Sequence, residues 1–162
     1  MSFGQRFTIT PLQMCTAVCA IANGGYLLQP KLVKSMTNTD TGEVTETETT
    51  IVRQVLSSQT AKEMRSMMES AATAKKNAQV KGYSIAGKTG TSEPNAADPD
   101  AGFVGSFAAI SPVENSQVAI LVTLYDPEGE NYQGSQIAVP TVAKILAEVL
   151  PSLGIEPDLP TE

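Results

Sequence analysis

Gly82-Tyr83-Ser84-Ile85-Ala86-Gly87-Lys88-Thr89-Gly90-Thr91 is the stretch on which the reading of this chain turns. From Gly82 to Thr89 it matches the phosphate-loop pattern G-x-x-x-x-G-K-[ST] letter for letter. A phosphate loop needs a buried strand before it and, after it, a helix whose first amides point at the phosphates. Neither flank suits that role. Asn77 to Lys81 is too polar for the strand, and Gly90-Thr91-Ser92-Glu93-Pro94 is a poor helix start. The segment from Tyr83 to Thr91 reads instead as extended chain, and alternation along a strand puts Lys88 and Gly90 on one face.

Working outward, Glu93-Pro94-Asn95-Ala96-Ala97-Asp98-Pro99-Asp100 continues neither strand nor helix and reads as a loop. Two apolar strands follow, Gly102 to Ile110 and Gln117 to Tyr125, which with Tyr83 to Thr91 predict a three-stranded antiparallel meander. Gln117 to Tyr125 is apolar almost throughout, which predicts a central strand covered on both faces. A last helix is expected from about Gln136 to Leu150, with Val139, Val142, Ile145, Leu146, Val149 and Leu153 inward and Pro140 in its first turn. Residues 156–162, Pro-rich and acidic, read as a linker or tail after a unit spanning 1–155.

Upstream, Thr10-Pro11-Leu12-Gln13 is a capping box with Pro at the first helical position, and Asn23-Gly24-Gly25 supplies a stop, so a helix is expected over 10–23. Lys31 to Thr37 and Glu43 to Val55 alternate on either side of Asp40-Thr41-Gly42 and predict a solvated hairpin. Ser57 and Ser58 offer N-caps for a second helix ending near Lys75 to Asn77, in which Ala61, Met64, Met67, Met68 and Ala71 form the apolar stripe. The fold class is therefore α+β.

Composition removes several functions. The 162 residues contain no histidine, which excludes Ser-His-Asp and Cys-His catalysis and His-ligated zinc. Seventeen acids against eleven bases give a net charge of -6, and no basic block exists to hold nucleic acid. Cys15 and Cys19 share a helix face inside an apolar stretch and read as small core residues; two ligands alone do not make a zinc site. No run approaches the roughly 18 apolar residues of a membrane span, and no leader pattern opens the chain.

Lys88-Thr89-Gly90 at the end of a strand is a constellation with its own chemistry. An ammonium flanked by hydroxyls can hold the carboxylate of an acyl substrate, and glycine lets that substrate lie against the strand as an added edge. A backbone N–H just past the glycine can stabilise an oxyanion. K-T-G is a motif of penicillin-binding proteins and β-lactamases. The sequence resembles the C-terminal part of the transpeptidase domain of class B penicillin-binding proteins, the cell-wall cross-linking enzymes of division, elongation and sporulation. The resemblance is carried by Phe3-Gly4-Gln5, Thr10-Pro11-Leu12-Gln13, Ile21-Ala22-Asn23-Gly24-Gly25 with Pro30, Val55-Leu56-Ser57 with Thr60-Ala61, Gly82-Tyr83 with Ala86 to Thr91, and Val139-Pro140, in family order. It departs from the family at Ala72-Thr73-Ala74-Lys75-Lys76, where Gly-Thr-Gly is frequent, and at Ala108-Ala109-Ile110, where a glycine is frequent.

What the resemblance implies is a partial serine transpeptidase or β-lactamase-like fold, acting on D-Ala-D-Ala stem peptides of peptidoglycan and acylated by β-lactams, without metal or organic cofactor. Lys88 is then the lysine of the third motif, Thr89 and Thr91 the hydroxyls for the substrate or antibiotic carboxylate, Gly90 the clearance position, and the Thr91 N–H the second oxyanion donor. The loop Ser92 to Asp100 would border the cleft. The family's nucleophile lies in S-x-x-K and its second motif is S-x-N, and neither pattern occurs in the sequence. The expectation is a D,D-transpeptidase parent, anchored upstream and facing outside the cytoplasm, of which this chain lacks the nucleophile and is inactive alone. Its partners would be the missing N-terminal half of the domain, or a second copy pairing through the open sheet edge. The alternative is a non-catalytic or half-domain association module. A β-lactamase fits less well, because the motifs outside K-T-G are those of class B penicillin-binding proteins.

Overall fold

A computed structural model describes residues 8–94 and 102–161. Phe3-Gly4-Gln5 and the loop residues 95–100 lie outside the described residues. Helix α1, Pro11–Ala22, begins with the expected capping box: the Gln13 N–H donates to Thr10 Oγ1 and the Thr10 N–H to Gln13 Oε1. It ends at Asn23, where Gly24 and Gly25 take φ values of 85 and 107° and the Gly25 N–H returns to the Ala20 carbonyl at 2.7 Å.

The solvated hairpin is longer than its expected arms. Strands β2, Ser35–Thr37, and β3, Val44–Glu46, form its tip, while β1, Tyr26–Leu28, pairs with β4, Ile51–Gln54, at its base. Three residues of β1 between a helix stop and Pro30 are too few to show alternation, so the sequence did not announce them. Helix α2, Ser58–Thr73, is capped by the Ser57 hydroxyl, which accepts from the Thr60 N–H at 3.0 Å. Its buried face runs through Ala61, Met68 and Ala72 with Met64 at the margin, whereas Met67 is 60% exposed. A 3-10 turn, Lys76–Ala78, follows.

Strands β5, Ala86–Ser92, β6, Val104–Ser111, and β7, Val118–Tyr125, form the antiparallel meander in the order β5-β6-β7. Two expectations need correcting. Strand β5 starts at Ala86, since Tyr83 to Ile85 are buried but form only an isolated bridge, Val80 to Tyr83. The central strand is β6, not β7. The apolar run of β7 does reflect two covered faces: Val118, Ile120, Val122 and Leu124 pack with one core, Ala119 and Leu121 with the other. Coverage of faces says nothing about pairing of edges, and among the described residues β7 pairs on one side only.

Helix α3, Gly134–Ser152, covers one face of the sheet with Ala138, Val139, Val142, Leu146 and Leu150, packed against Phe107 and Ala109. Helices α1 and α2 cover the other through Val18 and Met68, against Ala86, Ala108 and Ile110. Because α3 starts earlier than expected, Pro140 lies past its first turn, where its missing N–H leaves the Gln136 carbonyl without a helical donor. The neighbouring Ile137 carbonyl accepts the Thr141 hydroxyl at 2.8 Å. Ile145 and Leu153, expected inward, are 37 and 62% exposed. The Pro-rich end does not run off as a linker as far as it is described: Asp158 and Leu159 N–H groups both donate to the Gly82 carbonyl.

Candidate functional site

Strand β5 is the other edge of the meander, paired only with β6 among the described residues. Its burial changes along its length, from buried Ala86 and Gly87 to exposed Lys88, half-buried Thr89 and Gly90, and exposed Thr91 and Ser92. The buried start anchors the strand between the two cores, and the exposed half projects from them. An edge strand of this kind presents unpaired backbone groups, to which an extended peptide can add itself.

Strand alternation divides the four candidate residues. Lys88 and Gly90 fall on the face of Ala86, which belongs to the core under α1 and α2. Thr89 and Thr91 fall on the α3 face, and there the Thr91 hydroxyl accepts the Gly134 N–H at 3.1 Å. Gly134 is the first residue of α3, so Thr91 satisfies one of the amides that the helix leaves free, in a helix whose N-cap residue Gln133 gives no side-chain cap. The Thr91 hydroxyl proton remains available to a ligand. Lys88 Nζ donates to the Thr89 carbonyl at 2.8 Å, so the ammonium rests on its own exposed strand, with no second acceptor among the described residues.

Across from Gly90 in the register stands Ser106, and a Cβ at position 90 would lie 2.6 Å from the Ser106 hydroxyl oxygen. A side chain at position 90 would require the Ser106 hydroxyl to turn away on the Lys88 face. No group of three or more His, Cys, Asp or Glu among the described residues is placed to hold a metal ion. The described helices include none long and apolar enough to cross a membrane. On α1, Cys15 and Cys19 are unbridged, and burial, reinforced by Cys15 beside it, pushes the Cys19 thiol up to about 11.

A family profile described as penicillin binding protein transpeptidase domain matches residues 1–147. The chain belongs to that family. It is 32% identical over 161 residues to stage V sporulation protein D of Bacillus subtilis and 30% identical over 164 residues to the peptidoglycan D,D-transpeptidase FtsI of Escherichia coli. These alignments cover 96 and 97% of the chain but only 25 and 26% of the two relatives, so the chain spans about a quarter of their length. Among solved structures, a peptidoglycan synthetase from Bifidobacterium adolescentis superposes with a TM-score of 0.82 at 29% identity, over 98% of this chain and 29% of that one. Penicillin-binding protein A of M. tuberculosis, in a ceftriaxone acyl-enzyme complex, superposes with a TM-score of 0.80 at 28% identity, over 91 and 34% of the respective chains.

Within this penicillin-binding-protein transpeptidase segment, sequence reasoning missed residues that touch the K-T-G strand from elsewhere. Ser106 beside Gly90 follows only from the register of β5 on β6. Gly134 lies against Gly90 and Ser106 so closely that its own Cβ would stand 2.4 Å from both of their carbonyl oxygens. No local pattern marks either residue. Gly134 carries a faint signal, since glycine at the first turn of a helix that lacks a capping side chain is unfavourable on propensity and invites a packing reason.

Proposed function

We propose that this chain is the K-T-G half of a serine-type peptidoglycan D,D-transpeptidase. Lys88 attracts the terminal carboxylate of a D-Ala-D-Ala stem peptide, or the carboxylate of a β-lactam, at the free edge of β5, where the Thr89 and Thr91 hydroxyls donate to it from the opposite face of the strand. Gly90 lets the substrate backbone lie along the free edge of β5, and the Thr91 N–H donates to the oxyanion of the tetrahedral intermediate. A serine of the S-x-x-K motif, supplied by the upstream half of the domain, attacks the penultimate D-Ala carbonyl. The bond to the terminal D-Ala breaks with a proton delivered to its amine, and a second stem peptide's amine then takes the acyl group from serine. A β-lactam enters by the same attack, its ring amide opening to leave a serine ester. The parent acts on the outer side of the cytoplasmic membrane, and the isolated chain forms no acyl-enzyme.

The observation that carries this proposal is the exposed Lys88 and half-buried Gly90 on one face of an unpaired strand edge, in a chain whose relatives include enzymes named peptidoglycan D,D-transpeptidases. A second reading, a half-domain association module, is favoured by the other edge: β7 has no second neighbour among the described residues and Tyr125 is 65% exposed. Intact-mass analysis after incubation with a penicillin separates the two. The chain alone is expected to gain no mass, and a mixture with the upstream half to gain one adduct, on the upstream half. An adduct on this chain alone would overturn the assignment of the nucleophile. No adduct on the complete parent would leave the association reading.

A further inference from the structure

Strand β5 carries its chemistry from Lys88 onward, and it is preceded by the buried segment Gly82 to Ile85, which belongs to no sheet ladder. Its polar groups are held by chain from beyond α3. The Gly82 carbonyl accepts the Asp158 and Leu159 N–H groups at 3.0 and 3.1 Å, and the Tyr83 hydroxyl donates to the Ile155 carbonyl at 2.8 Å. At Ser84 the hold becomes a side-chain clasp. The Ser84 N–H donates to Asp158 Oδ1 at 2.8 Å and the Ser84 hydroxyl donates to Asp158 Oδ2. The same hydroxyl accepts the Val113 N–H at 2.8 Å, and the Ser84 carbonyl accepts the Ser111 hydroxyl at 2.8 Å. Ser84 is 6% exposed while Asp158 itself is exposed, so in the intact clasp the Ser84 amide and hydroxyl are satisfied by protein groups rather than by solvent.

We propose that Asp158 is a positioning residue for the K-T-G strand: both its carboxylate oxygens hold Ser84, four residues before Lys88, and so set where the ammonium and the Thr91 N–H come to lie. This rests on the function proposed above. Two features make the clasp more than a tie for the chain end. Both acceptors of one carboxylate converge on one buried residue, and charge-assisted bonds of this kind are stronger and more directional than neutral ones. Moreover, the far end of β5 is held by the opposite end of the same helix, where Gly134 donates to Thr91. Helix α3 is then a strut of 19 residues, about 28 Å at about 1.5 Å per residue. Its first residue sets one end of the substrate strand, and the segment following it sets the other. Shortening the Asp158 side chain loosens the hold on Ser84, while the Ser84 bonds with Ser111 and Val113, the backbone bonds to Gly82 and the packed faces of α3 and β6 stay in place.

The test uses the complete transpeptidase, upstream serine motif included, as wild type, Asp158→Ala, Asp158→Asn and Ser84→Ala. Leu146→Ala serves as a control that weakens the core without touching the clasp. The readout is the acylation rate constant with a fluorescent penicillin per titratable active site, well below the unfolding midpoint, together with amide exchange of residues 86–91. Misplacement of reacting groups by about 1 Å can cost about 100-fold; a partial shift at the strand start is expected to slow Asp158→Ala and Ser84→Ala about tenfold per site. Asp158→Asn keeps one acceptor and turns its NH2 toward a hydroxyl that already accepts, so about threefold is expected there. Leu146→Ala should lose thermal stability and keep its rate per site. Equal per-site rates for wild type and all clasp variants, with only the melting temperature lowered, would overturn the proposal. If Asp158→Ala does not fold, Asp158→Asn decides by the same rate. If the wild type itself is never acylated, the functional reading fails instead, and unchanged amide exchange of β5 in Asp158→Asn would then refute the clasp on its own.

Discussion

Replacing Gly134 by alanine sets helix propensity against packing, and the structure gives the magnitudes. Alanine in place of glycine inside a helix is worth about 1 kcal/mol, so α3 considered alone would be stabilised. The added Cβ, however, would stand 2.4 Å from the Gly90 carbonyl oxygen, 2.4 Å from that of Ser106 and 2.9 Å from the Ser106 nitrogen. All three are backbone atoms of paired strands, with no flexible side chain to swing aside. Ordinary contact requires about 1 Å more, so either α3 withdraws or β5 and β6 bow outward; such overpacking costs about 1 to 3 kcal/mol. Withdrawal also takes the Gly134 N–H, now 3.1 Å from the Thr91 hydroxyl, out of hydrogen-bonding range, a further loss of about 0.5 to 1.5 kcal/mol. The sum, less the propensity gain, is a net destabilisation of about 0.5 to 3.5 kcal/mol. Urea unfolding of the complete transpeptidase measures it, and acylation by a penicillin reports whether the K-T-G strand moved. An unfolding midpoint equal to or above that of wild type would refute the packing argument, because propensity would then have won.

The other expectations follow from the same geometry. Lys88→Ala in the complete protein should cut acylation about 100-fold or more, the scale for losing a main electrostatic donor at a reacting centre, while shifting the unfolding midpoint little, since Lys88 is exposed; equal acylation would remove Lys88 from the site. Gly87→Ala places a Cβ 2.4 Å from the Phe107 ring and should cost about 1 to 3 kcal/mol. Pairing it with Phe107→Leu should give a favourable coupling in a double-mutant cycle of unfolding, and strict additivity would show that the clash is relieved elsewhere. The Cys19 thiol, with its pKa raised to about 11 by burial, holds its proton more tightly folded than unfolded. Its contribution is therefore complete below about pH 9 and declines as pH rises toward 11, and alkylation of Cys19 should be slow at pH 8 and accelerate over that window. Rapid alkylation at pH 8 in native buffer would mean that α1 does not shield it.

Much of the architecture was legible because local rules and tertiary packing agree. The capping box at Thr10 and Gln13, the glycine stop after Ala22 and the Ser57 cap all formed as their residue types require, since each is satisfied by atoms within a turn of itself. The meander was readable from three apolar or Gly-rich runs separated by polar breaks. Where reading failed, the deciding contact was distant in sequence. Met67 has the composition of the α2 stripe but is exposed, because the direction in which the helix faces is fixed by α1 and β5 rather than by its own period. The strand β1 was hidden because its strand partner among the described residues, β4, lies across a long excursion of chain.

The sequence by itself determined the K-T-G stretch, the departure from a phosphate loop, the α+β class and the absence of both S-x-x-K and S-x-N, because each depends on residue identity at short spacing. Only the tertiary structure decided that β6 is central, that Gly134 must lack a side chain and that Asp158 reaches Ser84. Those are contacts between segments tens of residues apart, and the chemistry of an acceptor or of a missing Cβ has no meaning until packing chooses what stands opposite it.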